Sequence, residues 1–177
     1  LREMLAAGQA GAFYFGMKGQ SPEQVVATLN DLQRVAKVPA LVAFGSACTD
    51  FGTGLVKGNM MRLGATRDPD LVYRMARGET EEQRSYGFHI PGLPVLDVNV
   101  EPANPIINTR AFSDDPALVT ELSLAALRGV VEGRGVTCTM HFPGHGNTRD
   151  DSHIRVPVDD RPFATLWEVD LLPYRAA

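Results

Sequence analysis

Short apolar runs recur along the chain and are separated by stretches in which apolar and polar residues mix. Four of them predict strands over residues 11–15, 39–44, 88–98 and 136–141. The third contains two prolines and ends in the apolar run 93–98, so it predicts a strand or an extended entry into one. Continuous apolar runs are typical of parallel sheets, whose strands are covered on both faces. The pattern therefore predicts a parallel sheet that lies between helices.

The stretches between the runs predict helices, because apolar side chains recur there on one face and capping residues precede them. Three starts combine a side-chain cap with a proline that suits the first turn: Ser21-Pro22-Glu23, Asp68-Pro69 and Asp114-Asp115-Pro116. Helices are also predicted over residues 1–9 and 161–176, and Gly133 and Gly135 end the helix that begins near residue 114. Residues 45–68 are rich in glycine and predict a long loop.

The resulting order is α-β-α-β-α-β-α-β-α, which places the chain in the α/β class. The alternation of strand and helix occurs both in (β/α)8 barrels and in doubly wound sheets. A complete barrel needs roughly 250 residues, and four strands are predicted within these 177. The pattern alone therefore leaves two alternatives, a doubly wound sheet and a part of a barrel.

Composition excludes several classes of function. Hydrophobic residues make up 44% of the chain and charged residues 21%, as in ordinary globular proteins. The net charge is −4 and no Lys/Arg cluster is present, so we expect no nucleic-acid partner. No apolar run approaches the roughly 18 residues of a membrane span. Cys48 and Cys138 fit no disulfide framework or zinc spacing, no motif predicts a cofactor, and composition leaves the cellular compartment open.

Three of the four histidines, His141, His145 and His153, fall within thirteen residues at and just after the end of the fourth run. At this edge of a parallel sheet, ligands bind. One interpretation is a metal site completed by Asp150 or Asp151. A second is structural hydrogen bonding, favoured for His145 between its two glycines. A third is acid/base catalysis by His153, because Asp151 lies two residues away and can orient its ring.

The same loop resembles a known family. Residues 141–153 read HFPGHGNTRDDSH and resemble the KHFPGHG(D)T…DSH signature of glycoside hydrolase family 3, in its β-N-acetylglucosaminidase (β-hexosaminidase) branch. Further blocks resemble the family in the family's own order: LGAT at 63–66, PVLDVN at 94–99, NPIINTRAF at 104–112 and EVDLLPYRAA at 168–177. The resemblance covers nearly the whole chain.

The resemblance implies an α/β fold of the (β/α)8 TIM-barrel type. Residues 1–177 would form a single, incomplete barrel domain with about four parallel strands and covering helices. It also implies retaining hydrolysis of terminal non-reducing N-acetyl-β-D-glucosaminides, without a metal or cofactor. The substrate would be a carbohydrate such as a peptidoglycan fragment, and the nucleophilic aspartate is expected beyond residue 177.

Residue by residue, the resemblance implies that His153 is the acid/base and that Asp151 is its orienting partner. Arg110 and His141 match positions that contact the N-acetylglucosamine ring. The chemistry is consistent, because an oxocarbenium-like transition state needs a proton delivered to the leaving oxygen. A histidine, with an ordinary pKa of about 6.5, can deliver that proton near neutral pH.

Several positions depart from the family pattern. The lysine of the signature is Met140 and its aspartate is Asn147, while a sugar-binding Asp and Glu of the family fall on Gly45 and Ala47. These changes keep a second hypothesis open, in which the chain is a catalytically inactive, sugar-binding or vestigial barrel fragment.

A four-stranded part of a barrel also leaves strand edges without partners. We therefore expect these 177 residues, taken alone, to self-associate through the exposed barrel edges.

Overall fold

The computed structural model describes residues 1–17, 19–45, 59–92 and 94–177, so Ala47 lies outside the described residues. Within these ranges no helix is both long and apolar enough to cross a lipid bilayer. The helices of these ranges, in chain order, are α1 (Arg2–Ala7), α2 (Pro22–Val35), α3 (Met60–Gly64), α4 (Pro69–Tyr86), a 3-10 turn (Asn108–Arg110), α5 (Pro116–Glu132), α6 (Phe163–Glu168) and α7 (Leu172–Ala176).

The three predicted capped helix starts are confirmed. The Ser21 side chain accepts a hydrogen bond from the Gln24 N–H at the start of α2. Asp68 and Asp115 accept equivalent bonds from the first turns of α4 and α5. Such caps satisfy N–H groups that a first turn leaves without partners inside the helix, so these boundaries follow from local chemistry.

Four extended segments lie side by side in the order of the chain. β1 (Ala12–Phe15) and β2 (Leu41–Phe44) pair in parallel over their full length. The third segment, described over residues 88–92 and 94–98, lies beside β2, and residues 136–141 lie beside the third segment, again in parallel. This arrangement is the predicted partial TIM-type barrel of the α/β class.

The third and fourth segments are less regular than the predicted strands. Each pairs through an isolated bridge, the first joining Ala43 to Ile90 and the second joining Val95 to Met140. Pro91 and Pro94 give the physical reason, because a proline has no N–H to donate to a sheet and interrupts the ladder.

The single helix predicted over residues 161–176 is wrong, since the structure divides it into α6 and α7. Pro173 lies in the first turn of α7, where its missing N–H is tolerated. In the interior of one continuous helix its ring would clash with the preceding turn. The predicted loop over residues 45–68 also contains α3, which begins where the Asn59 side chain accepts from the Arg62 N–H.

Two apolar cores hold the segments in place. The smaller packs α2 against β2 and the start of the third segment. The larger lies between α4, α5 and the rest of the third segment, and includes Val95, Val98, Leu122 and Val130. Because Val95 and Val98 are both buried there, the backbone that carries Asp97 is fixed from both sides.

Candidate active site

A buried carboxylate in the third segment organises the histidine loop, residues 141–160. Asp97 is fully buried, and its Oδ2 accepts hydrogen bonds from the backbone N–H of His141 at 3.2 Å and from its ring Nδ1 at 2.7 Å. Its Oδ1 accepts from the backbone N–H of His145 at 2.6 Å. A carboxylate removed from water needs such donors. Asp97 therefore fixes both ends of the turn from His141 to His145.

The contact with Asp97 also determines what the other side of the His141 ring can do. Because Nδ1 donates to the carboxylate, the network assigns Nε2 of the neutral ring as an acceptor. Arg110 Nη2 lies 3.2 Å from that nitrogen, and Arg110 Nη1 donates to Ile106 O at 3.2 Å. Arg110 Nε is buried and has no hydrogen-bond partner among the described residues. The two residues predicted to contact substrate thus lie together, and Arg110 keeps a donor that the described chain does not use.

Asn104 joins the segment that carries Arg110 to the histidine loop. Its Nδ2 donates to His145 O at 2.7 Å and to Thr148 O at 2.8 Å. Its Oδ1 accepts from the backbone N–H groups of Ile106 and Ile107, at 2.8 Å and 2.6 Å. Because the side chain is buried and all these bonds are short, Asn104 holds the two loops in one relative position.

His145 is buried, and both of its ring nitrogens contact hydroxyl groups. Nδ1 contacts Thr148 Oγ1, and Nε2 lies 3.0 Å from Ser152 Oγ. The next residue, Gly146, allows the loop to pack this closely, because a Cβ there would clash with Val98 O. The contacts of His145 are those of a structural histidine, the role that its glycine-flanked position favours.

Asp151 and His153 form the second predicted pair. Asp151 Oδ1 accepts from the backbone N–H of His153 at 2.8 Å and from its ring Nδ1 at 2.7 Å. These two donors, the backbone one first, hold the pKa of the Asp151 carboxyl below its usual range. The His153 side chain is 78% exposed, and its Nε2 has no partner in the described ranges. The pair can therefore hold a proton at Nε2 and offset the positive charge of the ring.

Neither predicted pair hydrogen-bonds directly to the other in the described part of the chain. They are connected through buried groups instead. Asp97 binds both His141 and His145, and His145 contacts Ser152, which lies between the two members of the acid/base pair. The predicted residues therefore belong to one continuous network.

The three loop histidines do not converge on a common point. The rings of His141 and His145 lie edge to face with their centroids 6.0 Å apart, and His153 Nδ1 is taken up by Asp151. Across the described ranges, no three His, Cys, Asp or Glu side chains are grouped as metal ligands. The metal interpretation finds no ligand set in this part of the chain.

The far end of the histidine loop is anchored by an arginine between two aspartates. Arg161 donates to Asp159 Oδ2 at 2.6 Å and to Asp170 Oδ2 at 2.7 Å. The Arg161 guanidinium lowers the pKa of the Asp159 carboxyl. Burial is the larger influence on Asp170 and raises the pKa of its carboxyl. Asn147, a departure from the family signature, donates to Asp159 Oδ1 at 3.3 Å and so joins this anchor.

The sequence offered only weak signals for Asp97 and Asn104. Asp97 lies within the PVLDVN block and Asn104 begins the NPIINTRAF block, but neither position by itself indicates a partner. Met140, at the position of the family's lysine, packs against the larger apolar core. Its side chain supplies no cation to the site.

Known proteins match this chain over nearly its whole length. The family described as "Glycosyl hydrolase family 3 N terminal domain" matches residues 2–177. Beta-hexosaminidase A of Pseudoalteromonas piscicida is 32% identical over 183 aligned residues, which cover 93% of this chain and 30% of the relative. The Beta-hexosaminidase of Thiobacillus denitrificans is also 32% identical, over 93% of this chain and 48% of its own length. The chain thus spans less than half the length of both relatives.

Solved structures of similar fold come from the same family. A glycoside hydrolase family 3 beta-N-acetylglucosaminidase from Paenibacillus superposes with a TM-score of 0.92 at 30% identity, over 99% of this chain and 35% of that one. NagZ from Neisseria gonorrhoeae, solved with N-trifluoroacetyl-D-glucosamine, gives a TM-score of 0.88 at 26% identity, over 99% of this chain and 55% of that one. With the family match extending over residues 2–177, the chain belongs to glycosyl hydrolase family 3 and corresponds to its N-terminal domain.

Proposed function

We propose that the protein hydrolyses terminal, non-reducing N-acetyl-β-D-glucosaminides by a retaining route, with Asp151 and His153 as its acid/base pair. The observation that carries the proposal is the double contact of Asp151 Oδ1 with the backbone and ring N–H groups of His153. The names of the relatives, beta-hexosaminidase and beta-N-acetylglucosaminidase, supply the substrate class.

In the proposed first step, the imidazolium of His153 gives its Nε2 proton to the glycosidic oxygen. The bond between that oxygen and the anomeric carbon breaks, its electron pair stays with the oxygen, and the alcohol leaves. A carboxylate nucleophile, which we expect outside residues 1–177, forms the glycosyl-enzyme on the opposite face of the sugar. The neutral ring of His153 then accepts a proton from the water that hydrolyses this intermediate.

Asp151 supports this cycle at both stages. Its carboxylate keeps Nδ1 protonated, so proton exchange occurs at Nε2, and its charge stabilises the imidazolium form. Arg110 and His141 would hold the sugar, with the Nη groups of Arg110 as donors to a sugar oxygen. Because Asp97 holds the His141 ring and His141 Nε2 lies against Arg110 Nη2, the sugar would meet polar side chains already in position.

The test is hydrolysis of N-acetyl-β-D-glucosaminides by the complete protein and its His153→Ala variant. For substrates with poorly acidic leaving groups, we expect kcat/KM to fall by roughly 10²–10⁴-fold in the variant. An activated leaving group such as dinitrophenolate needs little protonation, so its kcat/KM should fall far less. Equal losses on the two substrates would contradict the acid role of His153.

Asp151→Asn gives the matched test of the orienting carboxylate, because it keeps the shape and removes the charge. We expect a loss of about tenfold or more with the poorly acidic leaving group, since the imidazolium loses its counter-charge. Asp160→Asn is the control, because Asp160 is an exposed aspartate of the same loop. A complete protein that binds N-acetylglucosamine without turnover would instead support the sugar-binding alternative.

A further inference from the structure

Among the described residues, the segment that carries the proposed acid/base forms few hydrogen bonds with the rest of the chain. Its residues, 150–158, are mostly exposed, and Ile154, Val156 and Val158 are 82%, 86% and 77% exposed. Its internal bonds are local: the N–H groups of Ile154 and Arg155 both donate to Asp151 O at 3.0 Å. Among the described residues, one hydrogen bond joins this segment to the remainder, from Ser152 Oγ to His145 Nε2 at 3.0 Å.

The direction of that hydrogen bond follows from the contact that the other ring nitrogen of His145, Nδ1, makes with Thr148. Thr148 Oγ1 donates its single proton to His145 O at 3.0 Å. The hydroxyl can therefore only accept from the ring, so Nδ1 carries the proton where it contacts Thr148. In the neutral ring Nε2 is then an acceptor, and the Ser152 hydroxyl donates to it.

The His145 end of this bond is rigidly held. His145 is 8% exposed, its N–H is bound by Asp97, and its carbonyl is bound by Asn104. The same Asp97 binds the His141 ring, so His145 keeps a fixed place relative to the proposed sugar-binding pair. The Ser152 end is the exposed one, and it lies between the two residues of the acid/base pair.

We propose that the Ser152–His145 hydrogen bond positions the Asp151–His153 pair for proton transfer, with Ser152 and His145 as positioning residues. This inference rests on the proposed function. Without the bond, the exposed segment samples other placements, and His153 Nε2 spends less time within reach of the glycosidic oxygen. Because proton transfer requires heavy-atom separations of about 2.6–3.2 Å, the cost falls on acid catalysis and not on sugar binding.

Ser152→Ala in the complete protein is the direct test, because it deletes the hydroxyl from an exposed loop without affecting the core. With a poorly acidic leaving group, we expect kcat/KM to fall by about tenfold, the size of one net hydrogen bond. With an activated aryl leaving group it should fall less than about twofold, and the inhibition constant of N-acetylglucosamine should not change. Ser152→Thr keeps the hydroxyl and should restore most of the activity.

Ser85→Ala is the matched control, since Ser85 is exposed on α4 and its hydroxyl donates to Glu82 O. It should leave both substrates unaffected. If Ser152→Ala behaves like this control, or lowers kcat/KM equally for both substrates, the positioning role is overturned.

A pair of His145 variants tests the other end of the bond. A glutamine side chain reaches the Nε2 position and can bond Ser152, whereas an asparagine reaches only the Nδ1 position and can bond Thr148. We expect His145→Gln to keep more activity towards the poorly acidic leaving group than His145→Asn. Adding Ser152→Ala to His145→Asn should cost little more, because both changes break one bond. Full additivity of the two losses would overturn the proposal.

The His153→Ala result separates this inference from the proposed function. If His153→Ala lacks the leaving-group dependence, the acid role fails, and the positioning role falls with it. If His153→Ala shows the dependence and Ser152→Ala does not, the positioning role alone is overturned and the proposed function stands.

Discussion

Asp97 and Asn104 are the residues on which the local order of the site depends. Asp97 receives two N–H donors from His141 and one from His145. Asn104 exchanges hydrogen bonds with both loops that meet at the site. Both side chains are buried, so a lost bond there cannot be replaced by water.

At this scale we predict that Asp97→Asn destabilises the complete protein. The asparagine amide offers one acceptor and presents its own N–H groups to donors, which leaves a buried N–H without a partner. We expect a loss of about 2–3 kcal/mol in the free energy of unfolding, measured by urea denaturation. The exposed Asp160→Asn change should shift the midpoint little, and an Asp97→Asn midpoint equal to that control would contradict the prediction.

The residues that sequence could identify differ from those it could not. Asp151 and His153 are two positions apart, so their contact follows from local geometry and from a signature that spans both. Asp97 and Asn104 meet their partners in the histidine loop across separations of 41–48 positions. Such contacts depend on how the segments pack, and a single sequence does not specify that packing.

The same distinction holds for the helices and strands. Helix starts at Ser21, Asp68 and Asp115 were predictable because cap and proline lie within a few residues of each other. Strand pairing in the third and fourth segments was less predictable, because it depends on which N–H groups the neighbouring segment of the sheet presents. The division between α6 and α7 follows from Pro173 in the first turn of α7. The buried Asp170 lies between the two helices, and its partner Arg161 lies outside both.

His89 gives the junction between β2 and the third segment a pH dependence. The ring Nδ1 of His89 accepts from the backbone N–H of Val42 at 3.1 Å, and the backbone N–H of His89 donates to Val42 O at 2.8 Å. Burial, with the charge of Arg84, lowers the pKa of the His89 ring. A lowered pKa means that the unfolded chain binds the proton more readily. The contribution of His89 to the free energy of unfolding is therefore fully present above the unfolded pKa of about 6.5. It declines as pH falls towards the lower folded value.

We predict that the urea concentration at the unfolding midpoint decreases as the pH is lowered from 7.5 to 5.5, partly because of His89. His89→Asn keeps an acceptor near the Nδ1 position and cannot titrate in this range, so it should show a shallower decline. The difference between the two pH profiles isolates His89 from the other titrating groups. Parallel profiles would show that this ring does not contribute.

At the scale of the whole molecule, the first and the last segment of the described sheet form open edges. Within the described ranges β1 pairs with β2 on one side, and residues 136–141 pair with the third segment on one side. Apolar side chains of residues 150–158 and of α6 are also exposed, including Phe163 at 66% and Trp167 at 41%. Open strand edges and exposed apolar side chains both favour association.

We therefore predict that residues 1–177, produced by themselves, self-associate. Sedimentation velocity across a hundredfold range of concentration should show an increasing average mass. Val156→Lys, at an 86% exposed position, should reduce the association by placing a charge on the apolar surface. A monomer over the whole range, with a single cooperative melting transition, would contradict the prediction.

The single carboxylate shared by the two histidines has a consequence for exchanging parts between relatives. Asp97 belongs to the third segment, while the residues it holds belong to the loop after the fourth. Residues 141–153 moved into a protein without an aspartate and an asparagine at the positions of Asp97 and Asn104 would lose the acceptor and the donor that shape the loop. Transplants should therefore succeed only when the receiving protein offers both side chains at these positions or when they are moved together with the loop.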